Sequence, residues 1–292
     1  MVSIRLGPGR CLGVLGPNGS GKTTLTRLMA GLEPPDGGVL RILGETTCPR
    51  PGRLRCRCGA VFDVPAHWET LTGRQNLCFF ARQYGLAGAG LLRRVEQLLD
   101  LADLAAQGDE PVSVYSFGMR RKLAVIEALV HDPDLLVLDE PSAGVDTAFL
   151  DRLADLIGLR CEQGRTTWIA DNDADWLARA ATDAVLLDQG RIAAAGTVRA
   201  LLASLAARCR VEILLKQDDF NATPTIAGVM DFRCKSNRIT ADLSDSAALP
   251  AELLAWIAAA GGCVKSMEIR SITLYEALLH ARRAKADEEI RP

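Results

Sequence analysis

A glycine-rich segment near the start of the chain constrains the fold more than any other feature. Residues 16–23 read Gly-Pro-Asn-Gly-Ser-Gly-Lys-Thr, between an apolar run at 10–15 and a helical pattern at 22–30. Glycines let the backbone wrap closely around a phosphate chain, and the amides of a helix N-terminus attract negative charge. We therefore predict a phosphate-binding loop between a strand and a helix of an α/β fold.

The side chains of this loop have separate expected roles. Lys22 is suited to neutralise the β- and γ-phosphates of a nucleotide, and the Thr23 hydroxyl is suited to ligate Mg²⁺. The predicted nucleotide-binding residues are Gly16, Pro17, Asn18, Gly19, Ser20, Gly21, Lys22, Thr23 and Thr24.

A second feature is an apolar run at 135–138 that is followed by Asp139 and Glu140. Such a run is typical of a parallel strand covered on both faces. Two carboxylates at the end of a buried strand are unfavourable unless a cation or water is bound there. We expect Asp139 to hold Mg²⁺ through its water shell and Glu140 to polarise the water that attacks the γ-phosphate. A strand end followed by an acidic helix cap is the alternative.

Residues 115–119, between these two motifs, read Tyr-Ser-Phe-Gly-Met, and Ser-Ala-Gly-Val-Asp follows at 142–146. With this order of motifs the chain resembles the ATP-binding-cassette (ABC) ATPases, whose signature is most often Leu-Ser-Gly-Gly-Gln. The Tyr-Ser-x-Gly-Met form is similar to exporter cassettes that pair with separate membrane subunits. For Ser116 and its neighbours alone, a plain helix N-cap is an equally good interpretation. The residues that match the signature region are Ser116, Phe117, Gly118 and Met119.

The resemblance implies a fold, a mechanism and partners. It covers about residues 1–200 and implies a P-loop cassette with a mostly parallel sheet and a helical subdomain at about 65–130. Residues 201–292 read as a small α+β domain. Two cassettes would enclose two ATP molecules, with the signature of one chain and Asp146 reaching the other. Integral membrane subunits would use ATP hydrolysis for export, with this chain peripheral on the cytoplasmic face of the cell membrane.

Two positions depart from the common pattern of that family. Asp63 stands where a Mg²⁺-sensing Gln is usual, and an acidic residue is also found there in the exporter branch. Asn172 stands where a switch His is usual; its amide can donate to a γ-phosphate but cannot become cationic. The predicted catalytic residues are therefore Glu140, Asn172 and Asp63, and slow hydrolysis is expected.

Composition limits the other classes of function. With 34 Lys and Arg against 36 Asp and Glu, the formal net charge is −2, which gives no support to a nucleic-acid partner. No apolar stretch reaches the roughly 20 residues that cross a bilayer. The Cys56-x-Cys58 pair, with Cys48 nearby, fits no common zinc spacing, and free thiols are the simpler interpretation. A regulatory cassette that binds ATP but hydrolyses little remains the main alternative, and a soluble cassette of translation or DNA repair is a weaker one.

Overall fold

The computed structural model describes residues 2–46, 54, 56–62, 67–203, 209–217, 220, 222–244, 248–279 and 281–282. Asp63 and Cys48 lie outside these ranges. The chain separates into two compact units, residues 1–198 and 199–292. Among the described helices, none is both long enough and apolar enough to span a bilayer.

The first unit is built on a six-stranded, mostly parallel sheet. The strand order is β4-β5-β6-β1-β7-β8, and only the pairing of β7 with β8 is antiparallel. The strands are β1 (Cys11–Leu15), β4 (Cys58–Val61), β5 (Leu135–Asp139), β6 (Thr166–Ala170), β7 (Asp183–Asp188) and β8 (Arg191–Thr197), and a separate hairpin pairs β2 (Arg41–Ile42) with β3 (Glu45–Thr46).

The sequence explains why this sheet is central. All five residues of β1 and all five of β5 are buried, as continuous apolar runs predict for strands covered on both faces. The covering elements are helices that alternate with the strands along the chain. The helices of this unit are α1 (Lys22–Met29), α2 (Gly73–Gln83), α3 (Gly88–Ala102), α4 (Phe117–Leu129), α5 (Thr147–Glu162) and α6 (Ala174–Ala180), and α7 (Val198–Ala203) begins at its end.

Helices α2, α3 and α4 pack on one another in the region where a helical subdomain is predicted. Thr72 caps α2 with a full capping box: its hydroxyl accepts from Gln75 N, and the Gln75 side chain accepts from Thr72 N. The apolar residues of α3 are mostly buried, with Leu101 half-buried and Leu92 56% exposed.

The second unit is an antiparallel sheet of order β10-β11-β9-β12 with its own hydrophobic core. On β9, alternate residues from Cys209 to Leu215 are buried, as expected for a sheet with one covered face. Strand β10 was not predicted from the sequence. The elements are β9 (Cys209–Leu215), β10 (Val229–Lys235), β11 (Arg238–Leu243), α8 (Leu249–Ala259), β12 (Val264–Ser271) and a helical segment at 274–279.

Candidate functional site

Strand direction brings the predicted site residues to one edge of the sheet of the first unit. Strands β1, β5 and β6 are parallel neighbours, so their carboxyl ends lie side by side. The phosphate loop follows β1, Glu140 follows β5 and Asn172 follows β6. In open parallel sheets, ligands bind at this carboxyl edge.

The backbone of the phosphate loop requires glycine at defined points. Gly19 and Gly21 have φ values of 78° and 101°, in the left-handed region that glycine adopts without strain. A Cβ at Gly16 would lie 2.2 Å from the carbonyl oxygen of Leu187, so a side chain there would collide with β7. Ser20 N donates to Pro17 O at 3.1 Å and closes the turn. The conformation of the loop is therefore fixed by its own backbone and its contact with β7, up to the start of α1.

Lys22 lies under this loop with only 6% of its surface exposed. Its Nζ donates to Gly16 O at 2.7 Å and to Pro17 O at 3.4 Å. Two backbone carbonyls thus hold the ammonium group beside the loop amides. Thr23, at the start of α1, is half-buried, and Thr24 is exposed.

Three predicted residues meet through one amide. Asn172 Nδ2 donates to Glu140 Oε1 at 3.2 Å and to Asn18 Oδ1 at 3.5 Å. Glu140 adopts a φ of 46°, which is unusual for a residue with a side chain, and its N–H donates to Ala170 O at 2.7 Å. The three motifs, far apart in sequence, therefore form one polar cluster.

Arg121, on α4, is a buried residue that our sequence interpretation did not assign to the site. Its guanidinium donates to Phe62 O at 2.7 Å, to Glu140 O at 2.8 Å and to Asp139 O. One side chain of the signature helix thus fixes the ends of β4 and β5. The run Arg-Arg-Lys at 120–122 was the available signal, but its partners are main-chain atoms of distant segments.

Asp171 is the second residue that was missed. It is 2% exposed and accepts from Ser142 Oγ at 2.7 Å and from Ser142 N at 3.0 Å. It also accepts from the N–H groups of Asn172, at 2.7 Å, and Asp173, at 2.9 Å. This carboxylate therefore joins the turn that carries Asn172 to the segment after Glu140. Its position next to Asn172 was the only sequence signal.

The predicted signature begins as a capped helix. Ser116 is exposed and caps α4, since Met119 N donates to Ser116 Oγ at 3.2 Å. Phe117 is 66% exposed. A Cβ at Gly118 would lie 2.3 Å from the carbonyl oxygen of Gly144, so the signature packs directly on the segment at 142–146.

Asp146 has partners within its own chain. It caps α5 by accepting from Phe149 N at 2.9 Å, and it forms an ion pair with Lys122 of α4. The hydrogen bond from Lys122 is the main reason that the pKa of Asp146 is lowered. The single chain thus shows Asp146 tying the signature helix to α5, and the predicted reach toward a second chain stays a prediction.

The residues present fit a hydrated magnesium ion. Asp139 is completely buried at the end of β5, and Thr23 offers a hydroxyl at the start of α1. Ser20 Oγ is buried and has no hydrogen-bond partner among the described residues. Carboxylate and hydroxyl oxygens are the donors that Mg²⁺ prefers, with several waters retained. No cluster of three potential His, Cys, Asp or Glu metal ligands occurs within the described ranges.

Comparison with known proteins agrees with this geometry. A sequence model of the ABC transporter family matches residues 1–143. A Nod factor export ATP-binding protein I from Paraburkholderia xenovorans is 35% identical over 203 residues, which cover 70% of this chain and 67% of that protein. Relatives of the same name from other bacteria give a similar result, although the chain spans as little as 59% of their length.

Solved structures show the same fold. One described as the ATP-binding subunit of an ABC transporter superposes with a TM-score of 0.63 at 26% identity, covering 69% of this chain and 84% of that chain. A dimeric cassette bound to ADP and Pi superposes with a TM-score of 0.62 over 68% of this chain and 89% of its own, at 22% identity.

A strand, a glycine-rich loop, a buried lysine and an acidic strand end at one sheet edge define a P-loop nucleotide-binding protein. Helix α4, which begins in the predicted signature, contacts that edge through Arg121. This helix narrows the choice among P-loop proteins to the ATP-binding cassettes. The chain belongs to the ABC transporter family, as an ATP-binding subunit with the cassette ATPase fold.

Proposed function

We propose that this chain binds Mg·ATP, hydrolyses it as half of a cassette dimer, and thereby drives export through integral membrane subunits. It would act as a peripheral subunit on the cytoplasmic face of the cell membrane. The name of the Paraburkholderia relative, an export ATP-binding protein, supports the direction of transport.

The observation that carries this proposal is the contact of Asn172 with both Glu140 and Asn18. The side-chain amide of Asn172 thus links Glu140, the group that would activate water, to Asn18 of the phosphate loop. A general base must lie within hydrogen-bond reach of the water it activates, and Glu140 already lies at the edge where the γ-phosphate would end.

The protein residues would divide the work. Lys22 would exchange its bonds to Gly16 and Pro17 for phosphate oxygens, while the loop amides hold the phosphate chain. Thr23 and Asp139 would hold Mg²⁺, which, when bound, neutralises the charge on the phosphates. Glu140 would accept a proton from the attacking water as the bond to the γ-phosphorus forms and the β–γ bridge breaks.

Asn172 and Asp63 would complete this site. The amide of Asn172, held beside Glu140, would donate to the transferred phosphoryl group, which becomes the released phosphate. Asp63, predicted as a water-mediated Mg²⁺ contact, follows Phe62, whose carbonyl is held by Arg121.

The exposed signature supports a second cassette as partner. Ser116 and Phe117 lie at the N-terminus of α4 and face solvent in the single chain. Backbone N–H groups at a helix N-terminus are suited to bind a phosphate. In the dimer, Ser116, Gly118 and Met119 would therefore approach the γ-phosphate of ATP bound to the other cassette.

A cluster of aromatic rings, of which Trp68 and Phe79 are exposed and Phe80 is half-buried, is suited to contact a membrane subunit. Trp68 is 55% exposed and stacks edge-on with Phe79 at 6.1 Å between ring centroids, and Phe79 stacks likewise with Phe80 at 5.5 Å. The buried Asn76 fixes this cluster, since it accepts from Trp68 N and donates to Trp68 O. Aromatic side chains are enriched at protein interfaces for this combination of area and rigidity.

The decisive experiment measures phosphate release by this chain in complex with its membrane partner. It compares the natural chain with the Glu140→Gln variant. Loss of the carboxylate should lower turnover by about 100-fold or more, because a general base contributes roughly 10²–10⁴. ATP binding should persist, since Glu140 is not a predicted phosphate ligand. Lys22→Ala serves as the control that loses binding.

A regulatory cassette is the second candidate, and Asn172 favours it. An amide cannot carry the positive charge that an imidazolium offers a γ-phosphate. In that case this chain would bind ATP within a heterodimer and a more competent partner would hydrolyse it. Equal turnover for the natural chain and Glu140→Gln would support this candidate and refute catalysis by this chain.

A further inference from the structure

The hairpin of β10 and β11, in the second unit, borders a cavity of about 430 Å³. Its lining side chains share two properties: every one can donate a hydrogen bond, and no lining residue is acidic or aromatic. Three of the six are cations. The lining residues are Arg233, Lys235, Ser236, Asn237, Arg238 and Thr240.

The register of the hairpin explains how these groups come together. A two-residue turn, in which Ser236 has a φ of 53°, places Lys235 directly opposite Arg238. Arg233 lies opposite Thr240, two positions along the same face. The alternate residues Cys234 and Ile239 face the hydrophobic core, so the charged residues point to the solvent side of the sheet.

The cross-strand pairing of the hairpin brings two positive charges together. Like charges directly opposite each other across two strands destabilise a sheet. Lys235 and Arg238 form such a pair, and both side chains are exposed. An anion between them would convert their repulsion into two attractive contacts.

Two acidic residues already pair with the two guanidinium groups of this hairpin. Asp231 accepts two hydrogen bonds from Arg233, at 2.8 Å and 3.2 Å, and Glu212 lies 3.6 Å from Arg238. Both arginine side chains are largely exposed, and exposed ion pairs stabilise a protein by only about 0–1 kcal/mol. A multiply charged oxyanion would compete with Asp231 for Arg233. It would offer Arg238 a hydrogen bond that Glu212, at 3.6 Å, does not supply.

We propose that this hairpin cavity, hereafter the hairpin site, binds a phosphate group of a phosphorylated ligand. Lys235, Arg233 and Arg238 would supply the charge, and the hydroxyl and amide groups of Ser236, Asn237 and Thr240 would complete the hydrogen bonds. This assignment is independent of the nucleotide site, because it uses only residues of the second unit. A soluble phosphate compound and a lipid headgroup share this chemistry.

The experiment uses the full chain with Lys22→Ala, so that the phosphate loop does not contribute. Inorganic phosphate is titrated calorimetrically, and sedimentation is measured with phosphatidylcholine vesicles that contain phosphatidic acid. Each assay is repeated after adding Lys235→Ser with Arg238→Ser. The matched control adds Arg93→Ser with Arg199→Ser, which removes two exposed positive charges elsewhere.

The hairpin substitutions should weaken phosphate binding at least tenfold, and the control should leave it unchanged. Because the contacts are exposed, added salt should weaken binding as well. Binding to vesicles alone would also support the hairpin site and would identify a lipid source. Failure of both probes to bind, or equal binding in all variants, would overturn the proposal.

A second variant separates binding from folding. Lys235→Glu places opposite charges across the hairpin, which stabilises the strand pair while it repels an anion. We expect its melting temperature to equal or exceed that of the parent chain and its phosphate affinity to fall at least tenfold. A stable Lys235→Glu chain that binds phosphate normally would refute the hairpin site.

Discussion

At the scale of single residues, Asn172 determines how much positive charge can reach the γ-phosphate. Its amide is held by Glu140 and Asn18 and stays neutral at every pH. Asn172→His introduces a ring that can be protonated near neutral pH. We expect this substitution to raise ATP turnover in the assembled complex by roughly tenfold, which corresponds to about 1.4 kcal/mol in the barrier. Phosphate release at saturating ATP measures it.

The control for that substitution is Asn172→Ala, which removes the amide without supplying a charge. Turnover should fall below that of the natural chain, because the developing phosphate loses one donor. No change or a fall with His at this position would contradict both the role of Asn172 and the alignment that assigns it.

At the scale of secondary structure elements, the contact between α4 and the segment before α5 depends on two glycines. A Cβ at Gly118 would lie 2.3 Å from the backbone oxygen of Gly144. Unlike the end of a flexible side chain, this backbone oxygen cannot move aside. Gly118→Ala should therefore destabilise the fold by about 1–3 kcal/mol, as overpacking does. Thermal unfolding measures the loss, and ATP turnover should fall with it because the signature shifts.

Gly158 offers a matched control on α5. It is exposed, and a Cβ there would have no neighbour within 4 Å. Gly158→Ala should raise stability by roughly 0.5–1 kcal/mol, since alanine favours the helix interior. Similar destabilisation by both substitutions would show that the contact of Gly118 with Gly144 is not the cause.

The elements that the sequence predicted well are those with strong local signals. Strands β1 and β5 follow from apolar runs that end at turn residues or acidic residues. Strand β10 was missed because its outward face carries Asp231, Arg233 and Lys235, and one-sided edge strands lack a continuous apolar run. The nucleotide motifs were recognised from local sequence. Arg121 and Asp171 were not, because their partners are set by tertiary structure.

At the scale of the whole molecule, each unit has its own hydrophobic core. In the second unit, Glu276 accepts hydrogen bonds from Arg270 at 2.9 Å and from Thr273 N at 3.0 Å, and it pairs with Arg210. Burial alone would raise the pKa of Glu276. The hydrogen bonds from Arg270 and Thr273 and the charge of Arg210 lower that pKa to about 2.

A depressed carboxylate pKa stabilises the fold above the unfolded pKa, 4.5, and this stabilisation is lost as the pH falls toward 2. We expect the free energy of unfolding of the full chain, from urea titrations, to fall between pH 5 and pH 2.5. Glu276→Gln should lower it at pH 7 and reduce the fall. The matched control is Glu252→Gln, which removes an exposed carboxylate outside this cluster. Parallel pH curves for the natural chain and Glu276→Gln would contradict this assignment.

The boundary at residue 198 has a further consequence. Every proposed nucleotide contact, from Gly16 to Asn172, precedes it, while the hairpin site lies entirely beyond it. Mutations in the two parts are therefore exposed to selection on different traits. A lineage can replace or remodel the later unit, and so acquire a new ligand or regulator, while its ATP chemistry is inherited intact.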